Sequence, residues 1–472
     1  MSQKIWDVVI VGSGAGGSLA FQHYVAKGLG VLLLEEGTES LGTMKNHSIT
    51  DVTKKMYRNG GLRVALGLPS LTIGEGNAIG GGTEVNGGLF WRTPRFVLEQ
   101  WRLIAPMINQ ESLEREFLKL ERELNVQIQK PLEGFDLDSH MLELGSRKLG
   151  WKISDVPRLV VDCKRRNKCP SGCPSGAKQS MSKTLVESAI REGGSVESNV
   201  KVHSITLGKD LLTIKTKGSR EKDFLAKRVV LSAGAIETPR ILKNSGLIKT
   251  MKSTVGFHAN FKIVAKFPCE VNSKLGSIFT KQIHEFLEDG LLIMGSNFNS
   301  SYLAMASSHI DGRPYSNLKN HFPNLALYTV QIKADSFIYD LKAPFIGYLP
   351  FVKWKASDKI KVRQALLRTS QVLFAAGAEY LILPFSGDNH CYNFDDAKKV
   401  INKSSFTKLN ISTVHLMSSL PLSNAPKSCI DAGSQLKKDV RVQVLDASIL
   451  PTTIGESPQG SIMALVRLIL NK

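Results

Sequence analysis

A glycine-rich segment near the start of the chain constrains its fold more than any other feature. Residues 7–17 read DVVIVGSGAGG, a short β-branched run followed by closely spaced glycines. Such an apolar run is typical of a buried parallel strand. Gly12, Gly14 and Gly17 have the spacing of a dinucleotide-binding turn, in which the N-terminus of the following helix faces a phosphate. The segment therefore predicts the start of a Rossmann-type α/β domain.

The residues that follow the glycines support this interpretation. A helix is predicted from Ser18 to Lys27, and a second apolar run occupies residues 30–35. Glu35 ends that run about 20 residues after the glycines, where an acidic side chain can bind a ribose hydroxyl. A tight strand–helix turn that binds no nucleotide remains the alternative explanation.

Length and composition limit the class of protein. The chain has 472 residues, of which 42% are hydrophobic and 22% charged, enough for two interleaved globular domains. Its net charge is +19, but the lysines and arginines are spread along the chain and no aromatic-interleaved basic module occurs. This pattern argues against a nucleic-acid partner. A generally basic surface explains the charge most simply, and weak membrane-surface association is the alternative.

The sequence also bears on localisation. No apolar run reaches the roughly 18 residues that a membrane span needs. The glycine-rich segment begins at residue 7, which leaves no room upstream for a targeting peptide. A cytoplasmic protein, or one peripheral to a membrane, is therefore expected.

Three of the six cysteines, Cys163, Cys169 and Cys173, lie in one short segment. Their spacing fits neither a CxxC zinc knuckle nor a common iron–sulfur pattern, and no fourth ligand is nearby. We therefore predict a packed loop and no metal site.

Residues 250–410 differ in character from the rest of the chain. Alternating apolar and polar runs indicate antiparallel strands with one covered face, at 261–267, 291–297, 326–333 and 348–354. Two helices are predicted after them, at 359–376 and 395–403. Aromatic residues of this region are expected to line an apolar pocket, namely Phe298, Tyr328, Phe345, Tyr348 and Phe351.

Four blocks together resemble the glucose–methanol–choline (GMC) oxidoreductases, which are FAD-dependent. They are the first glycine segment with LEEG at 34–37, GGGT at 80–83 extending to Asn86, the segment 234–246, and the tail from His415 to Ala464. The blocks keep the family's order and span nearly the whole chain. GGGT, the cysteine loop and PQGSIMA at 458–464 are similar to the branch that contains long-chain fatty alcohol oxidases and bacterial dehydrogenases.

The resemblance implies an α/β architecture with two interleaved domains. One is a Rossmann-type FAD-binding domain, expected at residues 1–93, 151–250 and 411–472. The other is an α+β substrate-binding domain built on an antiparallel sheet, expected at residues 94–150 and 251–410.

The resemblance also implies which residues contact FAD. Gly12, Gly14 and Gly17 would hold the pyrophosphate, Glu35 the adenosine ribose, and Val202 the adenine. The other expected contacts lie along the pyrophosphate, the ribityl chain and the isoalloxazine: Gly80, Gly81, Gly82, Thr83, Asn86, Asp446, Ala447, Gln459 and Ser461. No histidine or cysteine lies close in sequence to the second glycine-rich loop, so non-covalent FAD is expected.

His415 matches the family's catalytic histidine. Alcohol oxidation in this family moves a hydride to flavin N5, and histidine is well suited to take the hydroxyl proton. Ser457 stands where the family normally has asparagine or a second histidine, and its side chain is shorter. This departure is compatible with an enzyme of altered geometry, with a slow or specialised enzyme, or with a flavoprotein that has left alcohol oxidation.

The resemblance therefore implies FAD-dependent oxidation of the CH–OH group of an alcohol, with an apolar or long-chain alcohol favoured and His415 as base. The partners would be a small-molecule alcohol and an electron acceptor, which could be oxygen, a quinone or a partner protein. An FAD-containing lyase and a non-catalytic flavoprotein of the same fold remain alternatives. An NAD-dependent enzyme would leave the terminal blocks unexplained.

Overall fold

The structure is a computed structural model, and it describes residues 4–38, 48–130, 132–218, 221–248, 252–296, 298–307, 318–343, 347–387 and 389–472. Two sheets organise these residues, and each has its own large hydrophobic core. The predicted fold class, a Rossmann-type α/β domain with an interleaved α+β domain on an antiparallel sheet, is confirmed.

The first sheet is mainly parallel at its centre. Ile5–Val11 lies between Val31–Leu34 and Phe224–Leu231, and all three run in the same direction. Because this strand has neighbours on both sides, Val8, Val9 and Ile10 are fully buried. The remaining strands of this sheet are Ser195–Glu197, Lys201–Leu207, Leu212–Lys217, Gln435–Leu436 and Asp439–Val444.

The α-helices whose apolar residues enter the first core come from distant parts of the chain. They are Ala15–Ala26, Arg95–Ile104, Gln110–Glu123, Glu187–Arg191, Gly234–Asn244 and Gln459–Leu470. A π-helical turn, Ser182–Val186, leads into Glu187–Arg191.

The second sheet is built on two long antiparallel strands, Lys252–Lys266 and Leu325–Ala343. Their pairing shifts register between Gly256 and His258. The other strands are Arg63–Ala65, Leu71–Ile73, Ile153–Asp155, Lys281–Ile283, Leu291–Gly295, Gly347–Val352, Tyr380–Ile382, His390–Cys391, Ile411–Thr413 and Leu416–Met417. The helices Leu137–Leu149, Ala356–Ala375 and Phe394–Lys403 contribute to its core.

Smaller elements complete the described residues. The helices Ile49–Met56 and Ser300–Ser307 each contribute to a small separate hydrophobic cluster. The strands Gln127–Ile128 and Pro157–Arg158 form a two-stranded sheet. No helix among the described residues is long and apolar enough to cross a membrane.

The sheet pairing departs from the predicted domain boundaries. Arg63–Ala65, Leu71–Ile73, Ile153–Asp155 and Ile411–Thr413 pair within the second sheet, although the predicted boundaries place them in the FAD-binding domain. These are strands of only three residues, whose sheet membership depends on partners far away in the sequence.

The segment 94–150 is divided between the two cores, although it was assigned whole to the substrate-binding domain. Trp101 and Phe117, on its first two helices, are fully buried in the first core. They pack there because Gln110–Glu123 lies against the C-terminal helix. Only Leu137–Leu149 joins the second core, through Leu142.

Candidate active site

A cavity of about 1520 Å³ is bounded by both glycine-rich loops and by residues of the second sheet. Most of the predicted site residues lie on its wall: Gly12, Gly14, Glu35, Gly81, Gly82, Thr83, Asn86, Val202, His415, Asp446, Ala447, Ser457 and Gln459. Three predicted residues do not line it, namely Gly17, Gly80 and Ser461. The chain thus brings together in one cavity residues that are separated by more than 400 positions.

The three glycines of the first loop have different structural roles. Gly12 has a φ of +95°, and a β-carbon there would lie 2.3 Å from the carbonyl oxygen of Ser232. A β-carbon at Gly17 would lie 1.9 Å from the carbonyl oxygen of Gly12, so this glycine permits close packing of the helix. A β-carbon at Gly14 would meet nothing within 4 Å. Gly14 therefore leaves open space before the first turn of Ala15–Ala26, as an anion-binding helix N-terminus requires.

Ser13 joins the two glycine-rich loops. Its hydroxyl donates to Glu35 Oε2 at 2.6 Å and accepts from the backbone N–H of Gly80 at 2.9 Å. Gly81 also approaches the first loop, because a β-carbon there would lie 2.9 Å from Gly14 Cα. Gly80 thus connects the two loops through its hydrogen bond to Ser13 and does not line the cavity.

The carboxylate of Glu35 is fixed by the loop that it supports. It accepts from the Ser13 N–H at 3.0 Å and from the Gly37 N–H at 2.9 Å, in addition to the Ser13 hydroxyl. Glu35 is buried and lines the cavity. The contact of Glu35 with a ribose remains a prediction. The three hydrogen bonds hold the carboxylate in a fixed position for it.

The second glycine-rich loop is anchored by side chains. Thr83 Oγ1 donates to the carbonyl of Gly80 at 2.6 Å and accepts from the N–H of Met181 at 3.0 Å. Asn86 Nδ2 donates to Gln459 Oε1 at 2.6 Å. The last contact ties the loop to the first residue of the C-terminal helix, whose N-terminus also faces the cavity.

Asp446 also lines the cavity. Its carboxylate accepts from the Gly234 N–H at 2.9 Å, from Thr238 Oγ1 at 2.5 Å and from Ser448. Burial raises the pKa of Asp446, while these hydrogen bonds act to lower it. The hydrogen bonds fix the carboxylate between the segment 234–246 and the tail, two of the blocks that carry the family resemblance.

Ser461 differs from its predicted role. Its side chain is fully buried, and its Oγ lies 2.7 Å from Thr93 Oγ1. Ser461 is the third residue of the C-terminal helix and does not line the cavity. A direct contact of its hydroxyl with a ligand in the cavity is therefore not supported.

His415 is backed by a second histidine that the sequence analysis did not single out. His415 Nδ1 lies 3.2 Å from His258 Nδ1, and the two rings are perpendicular. His258 is fully buried, and its Nε2 accepts from the backbone N–H of Gly455 at 3.0 Å. Burial lowers the pKa of His258 well below its usual value, and lowers the pKa of His415 to about 4. Both rings are therefore neutral at physiological pH.

These contacts determine where the ring protons lie. Because His258 Nε2 accepts from Gly455, a neutral His258 carries its proton on Nδ1 and donates it to His415 Nδ1. The proton of a neutral His415 then lies on Nε2, which has no protein partner among the described residues. In this arrangement His415 presents a hydrogen-bond donor, whereas the sequence analysis expected a base.

Ser457 and Glu456 lie on the cavity wall with His415. The Ser457 N–H donates to Glu456 Oε1 at 2.8 Å. Glu456 is buried, and its Oε2 accepts from Gln282 at 2.7 Å and contacts His284 Nε2 at 3.2 Å. This network fixes the backbone that carries Ser457, and no prediction from the sequence included Glu456.

Four of the five aromatic residues expected to line the pocket are described, and none of these four does so. Phe298 and Tyr328 are fully buried in hydrophobic clusters, Phe351 stacks on Tyr339, and Tyr348 packs against Arg240. Phe345 lies outside the described residues. The apolar part of the cavity wall includes instead Leu62, Leu89, Phe279, Met294, Met305, Leu327 and Val414.

The cysteine loop supports the second glycine-rich loop. The buried Lys178, which follows the cysteines, donates from Nζ to the carbonyls of Glu84, Asn86 and Cys169. All six cysteines are free. In the described part of the chain, no group of three or more His, Cys, Asp or Glu side chains is arranged to hold a metal ion.

The geometry fits an extended dinucleotide cofactor. A β-carbon would meet nothing within 4 Å at Gly14, Gly82 or Gly234, and all three line the cavity. The bare backbone of three separate segments therefore faces a common open space, as close approach to a ligand requires. Val202 and Gln459, which the resemblance assigns to the adenine and to the flavin, both line this cavity.

Comparisons with known proteins agree with this geometry. Family models described as GMC oxidoreductase match residues 53–264 and 349–465. The chain is 30% identical to an uncharacterized GMC-type oxidoreductase of Sinorhizobium fredii, over 97% of this chain and 92% of that protein. It is 24% identical to the long-chain-alcohol oxidase FAO3 of Arabidopsis thaliana, over 97% of this chain and 66% of that protein.

Solved structures share the fold at low sequence identity. A pyridoxine 4-oxidase structure superposes with a TM-score of 0.75 at 15% identity, covering 99% of this chain and 98% of that one. A formate oxidase from Aspergillus oryzae superposes with a TM-score of 0.73 at 13% identity, covering 100% and 98%. Taken with the sequence matches, these similarities show that the chain belongs to the GMC oxidoreductase family of FAD-binding flavoproteins.

Proposed function

We propose that this chain oxidises the CH–OH group of a small-molecule alcohol with an apolar body, with His415 as the residue that handles the hydroxyl proton. The observation that carries the proposal is the position of His415. It lies on the wall of the cavity that both glycine-rich loops line, and a buried histidine holds its ring from behind. When bound, FAD supplies flavin N5 as the acceptor of the hydride.

The hydrogen bonds of His415 and His258 determine which tautomer of His415 can act as a base. To accept a proton at Nε2, His415 must carry its own proton on Nδ1, and His258 must then accept at Nδ1 and give up the bond from Gly455. Leaving a buried donor unpaired costs about 1–3 kcal/mol. We propose that His415 donates from Nε2 to the alcohol oxygen, which orients the substrate, and that it accepts the hydroxyl proton at Nε2 only in the tautomer that carries its own proton on Nδ1.

The low pKa of His415 predicts an unusual pH profile. The base acts only when neutral, so its activity is lost as the pH falls through its pKa, which burial lowers to about 4. We expect kcat/KM to stay level from neutral pH down to about pH 5 and to fall below that. An acid limb near the ordinary histidine pKa of about 6.5 would contradict this. FAD absorbance across the same range separates loss of activity from unfolding.

Replacing Ser457 by asparagine is expected to keep or raise activity. Asparagine restores the longer side chain that the family normally has there, and Ser457 already faces the cavity. As the matched variant, Ser457→Ala removes the hydroxyl and should slow substrate oxidation by about 10²-fold if that hydroxyl contacts the substrate. The rate of flavin bleaching under anaerobic conditions measures both. An inactive Ser457→Asn variant that retains FAD would show that asparagine cannot replace serine here.

Anaerobic mixing with a panel of alcohols tests the proposed function. Short-chain and long-chain alcohols, sterols and polyols are each mixed with the FAD-loaded protein, and flavin absorbance is followed. At least one should bleach the flavin. If none does, while a chemical reductant still bleaches it, the protein is not an oxidiser of these alcohols, and a lyase or non-catalytic flavoprotein takes precedence.

We propose oxygen as the electron acceptor, ahead of a quinone or a partner protein. The proposal is supported by the names of the relatives, which include a long-chain-alcohol oxidase, a pyridoxine 4-oxidase and a formate oxidase. Oxygen consumption during turnover should match the alcohol oxidised. Turnover that requires an added quinone or dye would assign the other acceptors.

A further inference from the structure

One wall of the cavity is unexpectedly polar. His258, Asn260 and Lys262 alternate along the strand Lys252–Lys266 and so lie on one face of the second sheet. The residues between them, such as Phe261, are buried in the core on the other face. In the neighbouring strand, Gln331 lies opposite Asn260, and Thr329 lies opposite Lys262. Asn260, Lys262, Thr329 and Gln331 all line the cavity.

Lys262 carries a charge in this wall without a carboxylate to balance it. Its Nζ donates to Ser296 Oγ and to Thr329 Oγ1, both at 2.5 Å. An ammonium group has three donors, so one N–H is left without a protein acceptor in the described ranges. No carboxylate of those ranges pairs with it, and burial lowers the pKa of Lys262 to about 8. By contrast, Arg58, another cation on the cavity wall, pairs with Glu36.

Asn260 gives a second, independent indication of a ligand. The residue is only 6% exposed, and its side-chain amide makes no hydrogen bond to the described residues. Polar groups in folded proteins are almost always hydrogen-bonded, so an unpartnered amide that lines a cavity is available to bind a polar group of a ligand. Asn260 and Lys262 are adjacent on the face of the strand, so one ligand group can reach both.

We propose that Lys262 and Asn260 bind a carboxylate of the substrate, which makes the alcohol a hydroxy acid. The free N–H of Lys262 and the amide N–H of Asn260 would donate to the two carboxylate oxygens. The substrate identity rests on the proposed function, whereas the carboxylate subsite does not require turnover.

The spacing of the strand decides which kind of hydroxy acid fits. His258, which contacts His415, and Lys262 are four residues apart, about 14 Å between Cα atoms. A carboxylate held by Lys262 would then lie several bonds away from a hydroxyl held by His415, so the proposal favours an ω-hydroxy acid over an α-hydroxy acid. Phe279, Met294 and Leu327 give the same cavity apolar surface for the chain between them.

Binding without turnover tests the subsite. The FAD-loaded protein is titrated with octanoate and with octanamide, which have the same chain but differ in charge, and binding is followed by calorimetry. Charge-assisted hydrogen bonds predict that octanoate binds about 10- to 100-fold more tightly. Lys262→Met should abolish this preference. As a matched control, Lys266→Met removes a charge from the same strand at a lysine that pairs with Glu379, and should keep the preference.

Equal binding of octanoate and octanamide to the wild-type protein would overturn the proposal, even if Lys262→Met fails to fold. A preference that persists in a folded Lys262→Met variant would overturn it as well. Failure of the proposed function has a different signature, because no alcohol would then bleach the flavin, whether or not octanoate is preferred. If both proposals hold, an ω-hydroxy acid should bleach the flavin at lower concentration than the alkanol of equal length.

Discussion

Replacing His415 by alanine is expected to slow flavin bleaching by an alcohol by about 10²–10⁴-fold, while FAD stays bound. The imidazole is the group that would orient the hydroxyl and take its proton, and alanine has no polar atom for either role. FAD is expected to stay bound because the glycine loops, Glu35 and Asp446 are the predicted FAD contacts. None of them is hydrogen-bonded to His415 in the described structure.

Anaerobic stopped-flow absorbance of the purified variant measures this effect, and its flavin spectrum reports FAD content. His140→Ala is a suitable control, because His140 is an exposed histidine on Leu137–Leu149 and does not line the cavity. The control should bleach at the wild-type rate. Unchanged kinetics in His415→Ala would remove this residue from the mechanism.

Replacing Gly14 by alanine is expected to weaken FAD binding about 10- to 100-fold and to leave the folded apoprotein intact. The new methyl group meets no protein atom within 4 Å, and Gly14 has a φ of −67°, which alanine adopts freely. It would, however, enter the space in which the cofactor pyrophosphate is expected. Overpacking by a methyl group costs about 1–3 kcal/mol, which corresponds to this loss of affinity.

Fluorescence titration with FAD measures the affinity, and thermal unfolding of the apoprotein measures the stability. Gly17→Ala makes an informative contrast, because its β-carbon would lie 1.9 Å from the Gly12 carbonyl oxygen. That variant should lose stability even without FAD. Wild-type affinity in a folded Gly14→Ala protein would show that the pyrophosphate lies elsewhere.

The first sheet was predictable because its signals are local. Two apolar runs, with a glycine turn and a helix between them, follow one another within 30 residues and form adjacent parallel strands in the structure. Membership of the second sheet was harder to predict, since Leu71–Ile73 and Ile411–Thr413 pair across more than 300 positions. Short strands carry little periodicity, so their partners are decided by tertiary packing.

The site residues that belong to motifs of the family were predictable from the sequence. Those that reach the cavity only through the pairing of strands were missed. The strand predicted from Phe261 begins at Lys252 in the structure. Its first part was missed because Ser253, His258 and Asn260 interrupt the apolar pattern. Of the polar residues on this strand, Asn260 and Lys262 line the cavity, and His258 contacts His415. Alternation of His258, Asn260 and Lys262 with buried residues was the available signal, but its meaning required the neighbouring strand.

The predicted aromatic lining failed for a related reason. Phe298 and Tyr328 are large apolar side chains, and the structure buries them in hydrophobic clusters rather than on the cavity wall. Sequence identifies such residues as buried but cannot tell a core from a cavity wall. The apolar wall instead includes Leu62 and Val414, which lie outside helices and strands, and Met305 on the short helix Ser300–Ser307.

Anaerobic mixing of the FAD-loaded wild-type protein with an alcohol and with the same alcohol deuterated at the carbinol carbon tests alcohol oxidation most directly. The proposed hydride transfer predicts that both bleach the flavin, and that the deuterated alcohol does so severalfold more slowly because a C–H bond is broken. Alcohol oxidation would be contradicted if the protein binds FAD and a chemical reductant bleaches the flavin, but no alcohol or hydroxy acid does.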